Sequence, residues 1–528
     1  MCCSPFQTYR HQLAIYRKSI LEITVFACGA LVMVFEIIGS RILSPFIGTS
    51  TYVWTSLIGV ILASLSVGYW YGGRLADRQP DPRILASVIF AAGSLVAITV
   101  LIKDIVMSFI AAAPVGLELK SVFAAVLLFA PASVCLGFVA PFAVRLRLTT
   151  VETTGTTVGR LYALSTVGSI VGTFAAGFVL IPFVGSVRTL YLIAGALMIV
   201  AVSLVPLAIS QKTIGGALVL VFGIAATEVT GFLLLQKSGV HDIDTEYSRV
   251  QIFETIDSKT GRRMRALATD PYFAQSAMYL DTGEQALEYG KFYHLIRYYN
   301  PNFQNTLIIG GAGYSFPKEY LRTYADAKID VVEIDPQMTQ IARNFFDLQD
   351  DPRLTIFHED GRMYINRAES NKYDAILMDA FGSLFSVPTH LTTIEAVREM
   401  HRILTDDGVV IFNLGSALTG HASYFFQAEF KTYQAVFQDV SVFKINQDYG
   451  PERLQNLIIV ANKSNILQAE AATEPAIALL ARRYDADLHL TKPILLDDLS
   501  PVEYYNSLAQ DLFLANRNPL SADGEIAE

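Results

Sequence analysis

Beyond residue 300 the chain combines glycines and carboxylates at intervals that suit a nucleoside. Gly310-Gly311-Ala312-Gly313 removes side chains where a backbone would need to approach a ligand closely. Val331-Val332-Glu333-Ile334-Asp335-Pro336 follows. Its acids come about 20 residues past the glycines, the interval at which a strand-end carboxylate reaches ribose hydroxyls. Asp360-Gly361 and then Asp379 close two further apolar runs. An acid followed by glycine suits the amino group of adenine. The bland alternative is a sheet with incidental turn acids, and the order of the features speaks against it.

These residues converge only if the runs before them are parallel strands. Apolar segments at 306–309, 329–334, 354–357, 374–378 and 408–413 each end in a turn, and most lead into a helical stretch. That alternation predicts a doubly wound α/β sheet with its ligand at the carboxyl ends of the strands. A nicotinamide enzyme is the rival. It would need G-x-G-x-x-G, with the third glycine opening the helix. Here Tyr314, Ser315 and Phe316 follow Gly313, with Pro317 near the helix start, and the nucleoside reading is preferred. Upstream, Val250-Gln251-Ile252-Phe253-Glu254 alternates as a half-buried strand does, and 277–280 could pair with it as a small hairpin. The expected division is a β-rich region over 240–300, a nucleoside-binding domain over 301–462 and an extension over 463–528.

The first half has a different composition. The 528 residues are 52% hydrophobic and only 17% charged, against roughly 25% charged in soluble domains, and most of the apolar excess precedes residue 236. A single soluble globule, a disordered chain and a disulfide scaffold are excluded. A net charge of -9 argues against a nucleic-acid partner. The four cysteines lack zinc spacing, so no metal is expected; Cys28 and Cys135 read as buried residues in apolar runs.

A span needs about 20 apolar residues, and seven stretches qualify: 21–43, 53–71, 84–102, 121–144, 161–182, 188–209 and 214–235. They define a helical membrane domain over 21–236. The piece from Ile105 to Leu117, interrupted by Pro114, reads as re-entrant or interfacial. Gly159, Gly168, Gly172, Ala175, Ala176 and Gly177 predict a centrally packed helix. Residues 1–20, with Arg10, Arg17 and Lys18, read as a cytoplasmic N-terminus, not as a signal peptide. The basic loops at Arg74, Arg78 and Arg83, and at Arg145, Arg147 and Arg160, fall on the same side. Seven spans would then leave residue 237 outside, against the cytoplasmic placement that a cytosolic nucleoside requires. Glu36 and Arg41 in the first span and Glu228 in the last read either as internally paired groups or as a polar path for a cation. Gly72-Gly73-Arg74-Leu75-Ala76-Asp77-Arg78 is similar to the loop motif of major facilitator transporters, although one copy does not make a transporter.

Residues 244–460 resemble spermidine synthase, a polyamine aminopropyltransferase. The resemblance lies in Glu246-Tyr247-Ser248, Leu280-Asp281-x-x-x-Gln285, Tyr293-His294, Leu307-Ile308-Ile309-Gly310-Gly311, Val332-Glu333-Ile334-Asp335-Pro336, Asp351-Pro352-Arg353, Asp360-Gly361 and Tyr373-Asp374-x-Ile376-x-x-Asp379. The fused membrane segment is similar to the membrane-bound branch of that family. The resemblance implies a Rossmann-like, S-adenosylmethionine-dependent transferase fold. It implies that Glu333 holds the donor's ribose, that Asp360 and Gly361 hold its adenine, that Gln285 stands at the pocket mouth, and that Gly310, Gly311, Gly313 and Asp335 belong to the same donor site. Asp379 and Tyr293 would orient and deprotonate the attacking amine, a role that a carboxylate within reach of an ammonium can fill. Tyr247 and His294 would contact the acceptor.

Departures from the family pattern are equally specific. Gly313 stands where the family carries an acid that grips the donor's ammonium, Gly382 where a second acid follows the catalytic one, and Tyr289-Gly290 where an Asp-Glu pair precedes the Tyr-His. The segment from Ala380 to Thr393 resembles branches with other substrates; His390 reads as a base or as a partner of the following helix. Asp497, Asp498 and Glu503 either line the site or solvate the surface. The donor is therefore decarboxylated S-adenosylmethionine, used for aminopropyl transfer with release of methylthioadenosine, or S-adenosylmethionine itself, used for methyl transfer or cleavage. A nucleoside sensor gating a small transporter is the reading from another class. The expected partners are the lipid bilayer and a small amine, with a homo-oligomer left open.

Overall fold

The computed structural model describes residues 5–48, 50–113, 115–148, 153–205, 215–226, 229, 239–270, 273–380, 387–464 and 474–516. It divides into two compact units, Met1–Lys237 and Ser238–Glu528.

In the first unit six helices among the described residues are long and apolar enough to cross a membrane: Ser19–Ser44, Thr51–Arg78, Pro82–Ile110, Ala130–Arg147, Thr154–Val184 and Ser186–Leu204. Seven were expected. Within 214–235 the described helix is the shorter Gly215–Ala226, about 18 Å long at 1.5 Å per residue, and Glu228 lies outside the described residues. Most of the piece at 105–117 is not a separate element: residues 105–112 continue the helix Pro82–Ala112, and Leu117 opens the next one. Lys103 and Asp104 interrupt the hydropathy there, but they pair with each other at 2.6 Å and leave the backbone ladder intact. The expected fourth span is three pieces, Leu117–Leu128, Ala130–Gly137 and Val139–Arg147, broken at Phe129 and Phe138. Pro131 and Pro141 follow these breaks; proline removes one ladder donor and its ring crowds the preceding turn.

The helix Thr154–Val184 is not central. Only 28% of its most apolar window is buried, the lowest share of the six, and Phe174, Phe178 and Phe183 are exposed. Its small residues serve one contact. A Cβ at Gly168 would stand 2.9 Å from the Phe26 carbonyl carbon, and one at Gly172 would stand 2.7 Å from Ala30 Cα. The two helix backbones therefore meet directly, as small residues permit in lipid. At one end of this contact Glu22 accepts Arg147 at 2.7 Å and Arg160 at 3.0 Å. The Gly72–Arg78 motif is not a loop; it forms the last turns of the helix Thr51–Arg78. Glu36 and Arg41 are both half-buried on the first helix, and Cys28 is buried there.

The second unit holds two sheets. β1 (His241–Asp244), β2 (Arg249–Ile256), β3 (Arg263–Ala268) and β4 (Ser276–Tyr279) form an antiparallel sheet in chain order. The segment 277–280 pairs with β3, not with 250–254: Met264 faces Tyr279 and Ala266 faces Ala277. The strand between them is disguised by its arginines. Arg263 and Arg265 point outward to Glu254, while Met264 and Ala266 are buried.

The larger sheet comprises β5 (Asn305–Ile309), β6 (Lys328–Val332), β7 (Leu354–Phe357), β8 (Tyr373–Met378), β9 (Leu404–Ser416), β10 (Asp439–Lys444) and β11 (Gln455–Asn462), in the order β10-β11-β9-β8-β5-β6-β7. β7, β6, β5, β8 and β9 run parallel, and β11 and β10 close one edge antiparallel. The order reverses between β5 and β8, where such sheets bind ligands. Ile309 pairs with Val332 and Met378, Val332 with Phe357, and Met378 with Phe412. The residues one step further on, Gly310, Glu333, His358, Asp379 and Asn413, therefore share one rung at the carboxyl edge. Ile308, Val331, Leu377 and Ile411 bury one face with Phe292 and Tyr293. Ile309, Val332, Met378 and Phe412 bury the other with Tyr364, Leu391 and Phe425.

Candidate active site

β5 ends at Ile309 and is followed by Gly310, whose φ is +98°. A Cβ there would stand 2.8 Å from the Asp379 carbonyl carbon, so glycine lets the ends of β5 and β8 close together. Ala312 and Tyr314 also adopt left-handed φ, +43° and +53°. Successive turns of this kind aim backbone amides into a concavity that holds an anion. Here the anion belongs to the protein. Gly311 N and Ala312 N donate to Glu333 Oε2 at 2.9 and 3.1 Å, and Asp335 N donates to Oε1 at 2.9 Å. In a dinucleotide site such amides would face a pyrophosphate. A carboxylate has about four acceptor positions, so one remains on Glu333 for a ribose hydroxyl. Burial raises its pKa against the pull of these amides.

Asp335 and Asp360 each cap a helix, accepting from Gln337 N at 2.9 Å and Met363 N at 3.1 Å. The second oxygen of Asp335 is buried without a partner among the described residues; that of Asp360 meets His390 Nε2 at 2.9 Å. His390 is therefore tied to Asp360, while Thr393 caps the helix that follows. Asp497 holds the next residue of this region, pairing with Arg362 at 3.0 Å and accepting from the Thr393 hydroxyl at 2.5 Å. Gly361 packs on Ile309, whose Cγ2 would be 2.6 Å from a Cβ. Tyr247 is exposed, and its hydroxyl pKa is raised by partial burial and by the fields of Glu246, Asp335, Asp360 and Glu333.

At the other end of the site Asp379 lies half-buried. Asn413 Nδ2 donates to Oδ1 at 3.0 Å, and the Tyr289 hydroxyl lies 3.2 Å from Oδ2. The Tyr293 hydroxyl is buried against the same carboxylate without full hydrogen-bond geometry. Loss of solvent pushes the Asp379 pKa up to about 6, with Asn413 foremost among the groups opposing the shift. The site has thus brought Asp379 and Tyr293 together, as the sequence suggested. Tyr289, noted in the sequence only as a departure, and Asn413 are additions. Asn413 closes the apolar run 408–413 as the acids close theirs, and Tyr289 stands about one turn before Tyr293; both signals were there to be read.

His294 is held at both nitrogens, by the Tyr324 hydroxyl at 2.7 Å and by Glu319 at 3.0 Å. Glu319 also accepts from Gln285 N at 3.0 Å. Burial would raise the Glu319 pKa, but His294 and the Gln285 amide together bring it below the usual value. His294 therefore sets the position of Gln285, whose side-chain amide lies on Gly290 where a Cβ would be. Gly313 faces β4: Ser276 Cβ and Oγ would each be 2.9 Å from a Cβ there, which leaves no room for an acid unless Ser276 moves. Gly382 lies outside the described residues.

The strand order, with its shared rung of glycine and acids at the carboxyl edge, is that of a Rossmann-like transferase of the S-adenosylmethionine type. The Spermine/spermidine synthase domain matches residues 290–466. A polyamine aminopropyltransferase of Vibrio vulnificus is 30% identical over 262 residues, which cover 48% of this chain and 83% of that protein. Another from Clostridium acetobutylicum is 36% identical over 117 residues, 21% of this chain and 41% of the relative. A probable spermidine synthase of Corynebacterium glutamicum superposes with a TM-score of 0.39 at 20% identity, covering 46% of this chain and 86% of that one. The chain belongs to the polyamine aminopropyltransferase family.

Proposed function

We propose that the protein is a membrane-anchored aminopropyltransferase that moves the aminopropyl group of decarboxylated S-adenosylmethionine to a small amine and releases methylthioadenosine. The arrangement around Asp379 carries this reading. A carboxylate whose pKa is raised to about 6 is ionised at neutral pH, yet basic enough to take a proton from an ammonium. Asn413 and Tyr289 hydrogen-bond it with Tyr293 buried beside it, and Glu333 and Asp360 are spaced along the same strand ends to hold the ribose and adenine. Gln285, placed through Glu319 and His294, would stand at the pocket mouth. The curated relatives named above support the activity.

The full-length protein, incubated with decarboxylated S-adenosylmethionine and a panel of amines, should yield an aminopropylated product by mass spectrometry. No product with nucleoside binding intact would refute the reading. One observation favours S-adenosylmethionine itself: Ser276 closes the space at Gly313, so no acid stands there to repel a donor carboxylate. Tighter calorimetric binding of the carboxylated donor would decide for that alternative. The six long apolar helices among the described residues support anchoring in a membrane.

A further inference from the structure

Tyr289 and Tyr293 stand on one short helix, Glu288–Leu295, which is of the 3₁₀ type over its eight residues. Such helices have poor hydrogen-bond geometry and rarely run past three or four residues, so this one depends on what holds it from outside. Its last turn is held at His294 by Tyr324 and Glu319. Its first turn is held from the C-terminal segment. Arg482 Nη1 donates to Glu288 Oε1 at 3.1 Å and to the Ile445 carbonyl at 2.7 Å, and its guanidinium carbon lies 5.8 Å from the centre of the Phe292 ring. Lys291 stands 3.6 Å from the other oxygen of Glu288. The Arg482 backbone is itself fixed along β10, at the edge of the sheet: Lys444 N donates to the Arg482 carbonyl at 3.1 Å, and Tyr484 N donates to the Val442 carbonyl at 2.9 Å.

The residue after Glu288 is Tyr289, whose hydroxyl donates toward the Gln275 carbonyl at 3.0 Å and toward Asp379 Oδ2 at 3.2 Å. Asn413, Tyr293 and Tyr289 all favour the ionised carboxylate, against the loss of solvent that raises its pKa. Two of these three donors ride on the clamped helix. We propose that Arg482 is a positioning residue: through Glu288 it fixes the start of this helix, and thereby the Tyr289 and Tyr293 hydroxyls, against Asp379. The inference rests on the reading of Asp379 as the base. The C-terminal segment would thus take part in transfer without touching either reactant.

Arg482→Met, Glu288→Gln and the double variant form a cycle in the full-length protein. With decarboxylated S-adenosylmethionine and the best amine of the panel, kcat should fall about tenfold in each single variant and no further in the double, with calorimetric donor affinity unchanged. Arg482→Lys, which keeps the charge, should recover part of the loss. The titration midpoint of Asp379 is read from the carboxylic C=O infrared band that Asp379→Asn abolishes. It should rise by about half a pH unit in both single variants and the double, because the phenols that favour the carboxylate are displaced. Arg483→Met, on the neighbouring residue whose guanidinium pairs with Asp485 at 3.0 Å, should change neither kcat nor the midpoint. Additive losses across the cycle, equal effects in Arg483→Met, or a midpoint that stays or falls would show that Arg482 only packs the edge of the sheet, and each overturns the proposal. The infrared band needs no turnover, so failure of aminopropyl transfer itself is recognised separately.

Discussion

Gly310 and Asp379 meet backbone to backbone, and this contact sets the floor of the site. The left-handed φ of Gly310 and the 2.8 Å that would separate a Cβ from the Asp379 carbonyl carbon make any side chain there costly twice over. Gly310→Ala should lose about 2 kcal/mol or more of stability and weaken nucleoside binding. Denaturant unfolding and calorimetry read the two effects, and unchanged values in both would mean that the strand ends are free to part.

Glu333 and Asp379 should separate binding from chemistry. Glu333→Ala removes a charge-assisted acceptor worth roughly 1.5–3 kcal/mol and leaves two loop amides without their partner, so nucleoside affinity should fall at least about tenfold. Asp379→Asn keeps the shape and loses the base; turnover should fall about a hundredfold or more with affinity little changed. Normal turnover in Asp379→Asn would remove Asp379 from the chemistry.

The raised pKa of Asp379 also has a sign for stability. Its folded-state value, about 6 against the ordinary 3.8, means that the folded protein binds this proton more tightly than the unfolded chain does. The contribution is therefore fully favourable below about pH 3.8 and is lost as pH rises through about 6. At neutral pH the ionised base is a cost, and Asp379→Asn, which resembles the neutral acid, should melt higher than the parent. At pH 4 the gap should close. A gap independent of pH would contradict the assignment.

In the membrane unit Gly172→Leu would drive a side chain into the Ala30 backbone. The two helices should separate, and the midpoint of thermal unfolding in detergent should drop by several degrees, whereas Gly159→Leu, where a Cβ meets nothing within 4 Å, should be silent. Equal effects at both positions would dissociate stability from that contact.

What the sequence revealed follows from what each signal measures. Strand ends marked by Glu333, Asp360 and Asp379 were legible because an acid closing an apolar run has few structural reasons to be there. β3 was hidden because Arg263 and Arg265 break its apolar count while preserving its alternation. The start of the run 105–117 was taken for a new piece because hydropathy responds to Lys103 and Asp104, whereas the helix continues past them to Ala112 and ends shortly before Pro114. The small residues of 154–184 announced a close contact correctly, but composition does not say whether a helix makes one such contact or many. The two acceptors of Tyr289 belong to distant segments, and only the folded chain brings them together.

The carboxylate of Glu333 in the glycine-loop concavity has a consequence for selectivity in the cell. Most adenine there carries phosphates, and a phosphate approaching this loop would find the amides already engaged and a negative charge in its path. A sulfonium nucleoside, cationic and free of phosphate, meets attraction instead. On the proposed function, the loop's own counter-anion would disfavour phosphorylated nucleotides without a group devoted to rejecting them.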